Sequence, residues 1–432
     1  GSAYVGGVAG ENKANFDGLT ASNTGEVKAT GDDGGAGGLF GQNSGAITNA
    51  ALTNNGIVAG NKGATGGLIG TNTGTISKSH VVNEAGAQVA GMTNVGGLIG
   101  DNQGQLSGGR DETDGYYKYQ VYNNGVITAG TWNDANSNKV VDAGEIQAGG
   151  AGEHIGGLVG TNSGTVTAAY NTGAIAAAES ANVGGIAGTN SGTIDQVFST
   201  IFDGDGRSGM VSGRTTVGGL VGWNTAGGTL TNGYNTSPIA NGGAIVGTND
   251  GSIENVYAAV GGSAGLVHSG SGSLTNGYAA DAASTYWKAH GSYAGFAFDN
   301  NGGSLWKNYD GYGTPLLKVF LTKASYDPAT GRLIGAADGF NAYNNTRSGG
   351  TSHLIFHGSG AEGHYLWSQQ IAFAKHNPNW LGYDLDAVLD IPGITIPESH
   401  WDYLYHDDPF DRDKDFRERK AEIHFVDGGM EL

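Results

Sequence analysis

A single short phrase recurs along most of this chain and restricts the folds that the chain can adopt. At Gly66–Ile76 it reads GGLIGTNTGTI, and other versions of it continue as far as Leu305. The asparagine of the clear copies stands at positions 43, 72, 102, 162, 190 and 224, so most steps are about 30 residues. A unit that repeats at this period is typical of a solenoid, in which neighbouring units bury each other.

Within each copy, the aliphatic residues keep fixed distances from the asparagine. Leu68 precedes Asn72 by four residues and Ile76 follows it by four, and the other clear copies share this spacing. Because Asn and Gly tolerate the left-handed backbone of a tight turn, the phrase predicts a strand, an Asn-x-Gly turn and a second strand. A second phrase, such as YNTGAIAA at Tyr170–Ala177, supplies another turn and strand.

Stacking of such units explains how so few aliphatic residues per unit make a core. Equivalent Leu and Ile side chains form ladders inside a coil, and equivalent strands pair in parallel about 4.8 Å apart. Stacked Asn side chains can exchange amide hydrogen bonds along the axis. A disordered low-complexity segment is the alternative, but it would not keep aliphatic residues at constant offsets.

We therefore predict an all-β fold, a right-handed parallel β-helix over residues 3–305 with an inserted loop near 107–150. About ten coils would give a rod about 50 Å long. The step from Asn102 to Asn162 is twice the usual length, and we interpret it as one unit that lacks its phrase. The last three copies, Gly243–Ile253, Ala264–Leu274 and Ala294–Leu305, are degenerate.

Composition and charge exclude several classes of function. The net charge of −19 disfavours binding to a phosphate backbone, so no nucleic-acid partner is expected. The chain has no cysteine, which rules out disulfides, thiolate zinc sites and cysteine nucleophiles. No apolar run approaches about 18 residues, so we predict no membrane span.

The repeated phrases resemble the GLUG motif, Gly-Leu-aliphatic-Gly, of large bacterial exoproteins of the filamentous-haemagglutinin type, which are exported by two-partner secretion. The resemblance covers residues 6–305, and YDGYGTPLLKVFLT at Tyr309–Thr322 is similar to the segment that follows such repeats. It implies a secreted β-helical adhesin of the bacterial outer cell surface. Its implied partners are an outer-membrane transporter and a glycan or protein on a host or bacterial surface.

The sequence lacks two features that are found in proteins with GLUG repeats. The amino-terminal secretion domain of the exoproteins is absent, so we interpret the chain as a carboxy-terminal fragment. GLUG repeats also occur in IgA-cleaving metalloproteases, but their His-Glu-x-x-His zinc motif does not occur in this sequence. That protease activity is therefore not expected here.

The stretch NDANSNKVVDAGEI, Asn133–Ile146, resembles the calcium loop of dockerins and EF-hands. In that pattern, Ca²⁺ takes six to eight oxygen ligands from alternate positions and from a bidentate glutamate at the end. The predicted ligands are Asp134, Asn136, Asn138, the Val140 carbonyl, Asp142 and Glu145. Lys139 replaces the usual glycine, which should weaken binding, and the upstream sequence alternates like a strand. The alternative is a solvated polar hairpin loop.

The carboxy-terminal region has a different character. Residues 306–325 include TPLLKVFLT, which predicts a buried strand capping the open end of the β-helix. Residues 326–432 are predicted to form a smaller, non-repetitive β-rich domain, because GGTSHLIFHGSG and KAEIHFVDGG alternate like strands.

The sequence signals for a metal or ligand site are weak in this region. His353 and His357 would lie on one strand face about 13 Å apart, too far to share a metal, and with His364 they are better explained as surface histidines. Asp411–Asp415 has alternating carboxylates, but Phe416 stands where a calcium loop has glycine. The stretch HWDYLYHDD, His400–Asp408, is typical of sugar-binding faces and of packed strands alike.

The outward positions of the repeats are mostly Thr, Ser, Asn, Gln and Ala, and acidic residues do not recur at one register. This pattern favours an adhesin that attaches to host cells, glycans or neighbouring bacteria over an enzyme. The alternative is a β-helical polysaccharide lyase or hydrolase, which would need carboxylates from neighbouring coils to meet. A third hypothesis is that residues 326–432 anchor the protein at its transporter.

Overall fold

The computed structural model describes most of the repeat region and short segments of the carboxy-terminal region. The described residues are 4–30, 35–110, 117–132, 135–136, 145–147, 154–177, 181–199, 211–235, 237, 239–259, 265–280, 293–298, 305–307, 315–320, 324–327, 332–335, 353–355, 424–426 and 429–431. The chain divides into two compact units, Gly1–Arg110 with Lys118–Asp281, and Asp111–Tyr117 with Ala282–Leu432.

The first unit is a parallel β-helix, as the repeat predicted. Its first three coils contain β1 (Val5–Gly6), β2 (Ala9–Asn12), β3 (Phe16–Asp17), β4 (Thr20–Asn23), β5 (Glu26–Lys28); β6 (Ala36–Gly37), β7 (Phe40–Asn43), β8 (Ala46–Thr48), β9 (Ala51–Asn54), β10 (Ile57–Ala59); and β11 (Thr65–Gly66), β12 (Ile69–Asn72), β13 (Thr75–Ser77), β14 (His80–Asn83), β15 (Gln88–Gly91). The fourth coil contains β16 (Asn94–Gly96), β17 (Ile99–Asn102), β18 (Gln105–Ser107), β19 (Gly109–Arg110), β20 (Tyr117–Tyr119), β21 (Val121–Asn123), β22 (Val126–Ala129), β23 (Thr131–Trp132) and β24 (Ile146–Gln147).

In the later coils, one longer strand turns the corner that two strands share in the earlier coils. The fifth to seventh coils contain β25 (His154–Gly156), β26 (Val159–Asn162), β27 (Thr165–Asn171), β28 (Ile175–Ala176); β29 (Asn182–Gly184), β30 (Ala187–Asn190), β31 (Thr193–Ser199), β32 (Val211–Ser212); and β33 (Thr216–Gly218), β34 (Val221–Asn224), β35 (Thr229–Asn235), β36 (Ile239–Ala240). The last two contain β37 (Val246–Asn249), β38 (Ser252–Ala259), β39 (Val267–Ser269) and β40 (Ser273–Ala280).

These strands stack coil on coil into four parallel sheets. The strands that carry the first half of the phrase form a nine-stranded sheet in the order β2-β7-β12-β17-β26-β30-β34-β37-β39. The register is in phase with the repeat, so that Asn72 pairs with Asn43 on one side and with Asn102 on the other. Eight steps of about 4.8 Å make the stack about 38 Å long.

The structure corrects two expectations about the repeat. The long step from Asn102 to Asn162 does not contain a unit without a phrase, because β17 pairs directly with β26 and these two asparagines are register partners. The extra residues are instead two insertions in the fourth coil, one after β18 and one after β22. The degenerate copy at Ala294–Leu305 contributes no described strand to the stack, and Phe298 bridges Trp306 in the second unit. Nine coils are therefore described, rather than about ten.

Aliphatic residues of the phrase form the core, as predicted. Leu68 and Ile76 are fully buried, and so are their equivalents in neighbouring coils. Ile69, next to Leu68, is equally buried and belongs to the same cluster. The equivalents of Leu68 are Leu39, Leu98, Leu158, Ile186, Leu220 and Ile245.

The predicted asparagine ladder is confirmed. The side chains of Asn12, Asn43, Asn72, Asn102, Asn162, Asn190, Asn224 and Asn249, here the first asparagine ladder, are buried. Each Nδ2 donates to the Oδ1 of the next asparagine at 2.7–2.9 Å. The amides therefore form one continuous chain of hydrogen bonds that runs in a single direction along the rod.

A second ladder lies across the coil from the first. The second asparagine ladder consists of Asn23, Asn54, Asn83, Asn123 and Asn171, and its amides are linked at 2.6–2.8 Å. It ends at Ser199, the register partner of Asn171. The second glycine of the phrase packs against it: an ideal Cβ on Gly67 would lie 2.8 Å from Asn83 Oδ1.

An aromatic stack begins beside this second ladder. Tyr122, Tyr170, Phe198, Tyr234 and Tyr257 occupy one register position, and consecutive ring centroids are 4.8–5.0 Å apart. The interplanar angles are 14° or less. Burial raises the pKa of Tyr122 and Tyr234 well above the ordinary tyrosine value, so these rings remain neutral phenols.

The described parts of the second unit are short antiparallel elements. They are β41 (Trp306–Lys307) with β42 (Leu316–Leu317), a 3₁₀ helix at Lys318–Phe320, the three-stranded β43 (Ala324–Asp327), β44 (Arg332–Gly335) and β45 (His353–Ile355), and the hairpin of β46 (His424–Val426) and β47 (Gly429–Glu431). The positions of β45 and β46 agree with the strands predicted in GGTSHLIFHGSG and KAEIHFVDGG. The segment TPLLKVFLT is buried at Leu317–Phe320, and among its described residues only Leu316–Leu317 form a strand. Its role as a cap stays a prediction.

Candidate functional site

The ends of the predicted calcium loop form an antiparallel hairpin, β23 with β24, in the fourth coil. Trp132 pairs with Ile146, and Thr131 pairs with Gln147, so the two ends of the loop are held together. The sequence upstream is β-strand, in agreement with its alternating pattern and in contrast to the helix that precedes an EF-hand loop. The loop is thus an insertion between two stacked coils.

Two of its six predicted ligands lie within the described residues. Asn136 is exposed, and Glu145 is buried. The Ala135 amide donates a 3.0 Å hydrogen bond to Glu145 Oε1, which brings the last predicted ligand back to the start of the loop. Asp134, Asn138, Val140 and Asp142 lie outside the described residues. A group of three or more His, Cys, Asp or Glu side chains suited to a metal is not found in the described part of the chain.

Of the weaker candidate residues in the carboxy-terminal region, only His353 lies within the described residues. His353 begins β45. His357, His364, His400–Asp408 and Asp411–Asp415 lie outside the described residues. The proposed roles of these residues stay predictions.

A row of outward-facing side chains runs along the nine-stranded sheet, two positions after the buried aliphatic pair. This outer row consists of Glu11, Gln42, Thr71, Asp101, Thr161, Thr189, Trp223, Thr248 and Ser269. Its members are half-buried or exposed, whereas the asparagine that follows each of them is buried wherever the first ladder extends. Because each strand contributes one member and neighbouring strands are about 4.8 Å apart, the row presents one outward side chain about every 4.8 Å along the stack.

Trp223 differs from the rest of the outer row in size and in shape. It is 38% exposed, although the positions above and below it hold threonine. Its indole Nε1 donates a 3.0 Å hydrogen bond to Asp250 Oδ2 in the next coil. The other carboxylate oxygen, Oδ1, accepts a longer bond of 3.4 Å from the Ser271 amide of the last coil.

A histidine lies beside the same row, on the neighbouring sheet. His154 Nδ1 is 3.0 Å from the Asn182 amide nitrogen and 2.8 Å from the Thr189 hydroxyl. Since the amide nitrogen can only donate, Nδ1 is the acceptor and the ring proton is assigned to Nε2. Burial lowers the pKa of His154 below its ordinary value, so the neutral ring is favoured. Its register partner Asn94 has a buried Oδ1 without a hydrogen-bond partner among the described residues.

Sequence analysis did not identify Trp223 or His154 as functional residues, although signals for both exist. The phrase reads GGLVGWN at Gly218–Asn224, where neighbouring copies have Thr before the asparagine. His154 precedes its phrase by two residues, at a position that holds Asn in the copies on either side. A departure from the repeat at an outward position is thus the relevant signal.

Comparison of the chain with family models, with curated proteins and with solved structures gives no match. Among the described residues, there is also no helix with the length and apolar character needed to cross a membrane. Inference of function therefore depends on the geometry of the β-helix and on the motifs of the sequence.

Proposed function

We propose that the chain belongs to a GLUG-repeat exoprotein of the filamentous-haemagglutinin type and serves as a secreted adhesin rod. In this proposal it is exported through an outer-membrane transporter to the bacterial surface. There it attaches to a glycan or protein of a host cell or of a neighbouring bacterium. The proposal rests on one observation: a regular stack of coils whose outer row is mainly uncharged and polar.

The outer row has the composition of a binding surface. Six of its nine members are Gln, Thr or Ser, which offer hydrogen bonds without the desolvation cost of a charge. Their spacing is fixed by backbone pairing, so the surface is organised before a ligand arrives, and little conformational entropy is lost on binding. The net charge of −19 disfavours polyanionic partners such as nucleic acids.

Calcium has an ordering role in this proposal. The hairpin at Trp132 and Ile146 closes the loop, and Glu145 stands close to its start, as a bidentate closing ligand should. Isothermal titration with CaCl₂ should give heat with the native chain and much less with Glu145→Gln, which keeps the side-chain size. Equal heats, or no heat at millimolar calcium, would contradict a site at this loop.

The alternative is a polysaccharide lyase or hydrolase, which requires two carboxylates at a working distance. Contrary to the expectation from the sequence, acidic residues do recur at one register, since Asp195 and Glu254 share a row two coils apart. Their separation is about 10 Å by the strand spacing, slightly more than the 6.5–9.5 Å used by inverting glycosidases. However, Asp195 Oδ1 already accepts hydrogen bonds from Thr231 and Asn232. These bonds fit a structural role, so we propose binding without catalysis.

Cell binding by the purified chain tests the adhesin proposal. The labelled chain should bind saturably to epithelial cells or to bacteria, and to glycan or protein arrays, with an acidic protein of equal net charge as the control. Steady cleavage of a polysaccharide that is abolished by Asp195→Asn would favour the enzyme. Absence of binding to cells and to arrays, with and without calcium, would refute the adhesin.

A further inference from the structure

Trp223 is the one large aromatic side chain in the outer row. The positions before and after it hold Thr189 and Thr248, and threonine recurs at this register, so folding does not require tryptophan here. Because large apolar side chains gain stability from burial, a half-exposed indole contributes less to the fold than a buried one. A role in contact with a ligand accounts for its presence.

The ring is held in place before any ligand binds. Its Nε1–H donates to Asp250, and the same carboxylate accepts from the Ser271 amide, so three successive coils fix the indole edge. An aromatic platform that is already oriented loses little rotamer freedom on binding. Fixing the polar edge also leaves the apolar ring available for stacking.

Groups that can hydrogen-bond surround the platform. The Thr189 hydroxyl is next to Trp223 in the row, and it contacts His154 Nδ1. With its proton assigned to Nε2, the His154 ring has a further hydrogen-bond donor. Asp250 supplies a carboxylate at the ring edge. The combination is an apolar plate bordered by a carboxylate and a threonine, with the imidazole behind the threonine hydroxyl.

We propose that Trp223 is the stacking platform of a subsite for a neutral pyranose ring in a glycan. The C–H groups on one face of a pyranose carry partial positive charge and are attracted to the negative face of an indole, while its hydroxyls need polar partners around the rim. This inference rests on the proposed adhesin function and specifies its ligand. The nearby Asp250 and the net charge of −19 disfavour sialylated or sulfated glycans.

A protein partner fits this surface less well. The aromatic centre of a protein interface is normally surrounded by further apolar contact area. Among the described residues, the other exposed large apolar side chains are Val8, Leu274 and Leu305. None of them stands in the outer row, so Trp223 is an isolated apolar plate in a polar row.

The test uses the full chain and a substitution that the repeat itself supplies. Trp223→Thr restores the residue of the neighbouring coils, so the β-helix should be retained, as far-UV circular dichroism can verify. Val8→Thr is the control, because Val8 is also an exposed apolar side chain but lies in the first coil and outside the outer row. The probes are neutral linear hexasaccharides of glucose, galactose and mannose, titrated by calorimetry, with a sialylated oligosaccharide for comparison.

The native chain and Val8→Thr should bind at least one neutral probe, with Trp223→Thr weaker by about tenfold or more. Trp223→Phe should show an intermediate loss, because it keeps the ring and loses the bond to Asp250. Equal binding by the native chain and Trp223→Thr would overturn the subsite. The same conclusion follows if only the sialylated probe binds, or if the chain adheres to cells and to protein arrays but to no neutral glycan. In the last case the adhesin function would stand, whereas failure of all binding would remove both.

Discussion

At the scale of single residues, each asparagine of the first ladder satisfies two requirements with one side chain. In Asn190, Oδ1 accepts from the Gly192 amide and shapes the turn, while Nδ2 donates to Asn224 in the next coil. Aspartate would lack the donor, and glutamine would be too long for the two-residue turn. The ladder therefore requires asparagine, which explains why every clear copy of the phrase keeps it.

We expect Asn72→Ala to lower the free energy of unfolding by about 2–4 kcal/mol, because two buried amides lose a partner. Asn72 is fully buried, accepts from Asn43 at 2.8 Å and donates to Asn102 at 2.9 Å. Urea denaturation followed by circular dichroism measures the effect. Thr71→Ala, one residue away in the outer row, is the control and should change stability by less than about 0.5 kcal/mol. Similar values for the two variants would contradict the role of the ladder.

The corner that follows the phrase requires a left-handed backbone in many coils. Lys78, Ala168 and Gln196 have φ of 50°, 53° and 53°, where coil one has Gly18 with φ 80°. Asparagine occupies the same corner at Asn49, Asn232, Asn255 and Asn276. Lysine, alanine and glutamine are strained there, since this conformation costs an ordinary L-residue roughly 1–2 kcal/mol.

Lys78→Gly should accordingly raise the free energy of unfolding by about 1 kcal/mol, because glycine adopts φ 50° without strain. The neighbouring Ser77→Gly removes a side chain from a strand residue and should cost about 0.5–1 kcal/mol. Thermal denaturation of the two variants gives the comparison. A loss of stability in Lys78→Gly would show that the lysine's own interactions outweigh the strain.

At the scale of secondary-structure elements, glycine lets the coils approach closely. Gly67 sits between β11 and β12, where an added Cβ would overlap the Gly97 carbonyl oxygen of the next coil and lie 2.8 Å from Asn83 Oδ1. The paired glycines of the phrase thus give room both to the next coil and to the second asparagine ladder. At Gly67 a side chain would require the backbone of the next coil to shift, whereas the eighth coil accommodates Ala244 at the equivalent position.

We predict that Gly67→Ala destabilises the β-helix by about 3 kcal/mol or more, since the overlapping atoms belong to backbone that cannot move independently. Gly265→Ala is the control, because the nearest atom to its added Cβ is the Val267 carbonyl oxygen at 3.4 Å. Chemical denaturation measures both. A small effect for Gly67→Ala would mean that neighbouring coils separate easily, contrary to the close packing described.

At the scale of the whole molecule, the two insertions of the fourth coil leave the stack of coils unbroken. Both insertions leave the fourth coil after complete strands, and β17 still pairs with β26 as if they were absent. In a solenoid each coil depends mainly on its neighbours, so a loop that preserves this pairing has little effect on the rest. The predicted calcium loop and the rod should therefore behave as independent parts.

Replacement of residues 133–145 by Asn-Gly should leave the melting temperature of the rod nearly unchanged. The Trp132–Ile146 pair then closes on a two-residue turn, which Asn-Gly favours. Calorimetry should show an unchanged main transition and no heat on calcium addition. A large drop in melting temperature would show that the loop stabilises the rod.

The repeat by itself determined the architecture of the coil. Leu68, Asn72 and Ile76 reappear at constant offsets, and a parallel in-register stack places such residues in ladders whatever lies between them. The core and the first asparagine ladder follow from this local periodicity. The strands before the predicted calcium loop follow from the alternating pattern of that stretch. The sequence also contains a signal for the second ladder, the recurring Asn-x-Gly of the second phrase. Only the hydrogen bonds of the structure show that these asparagine side chains face inward.

Tertiary structure alone decided which coils become neighbours, and with them the contacts of the proposed binding surface. Whether Asn102 meets Asn162 or an intervening unit depends on a step of 60 residues that spacing cannot resolve. In the same way, Trp223 and Asp250 are 27 residues apart, and His154 and Thr189 are 35 apart, without any motif that joins them. Local periodicity fixes what a coil is because each coil repeats the same pairing. The contacts between unlike side chains depend on the register of the stack, which forms only when the coils are assembled.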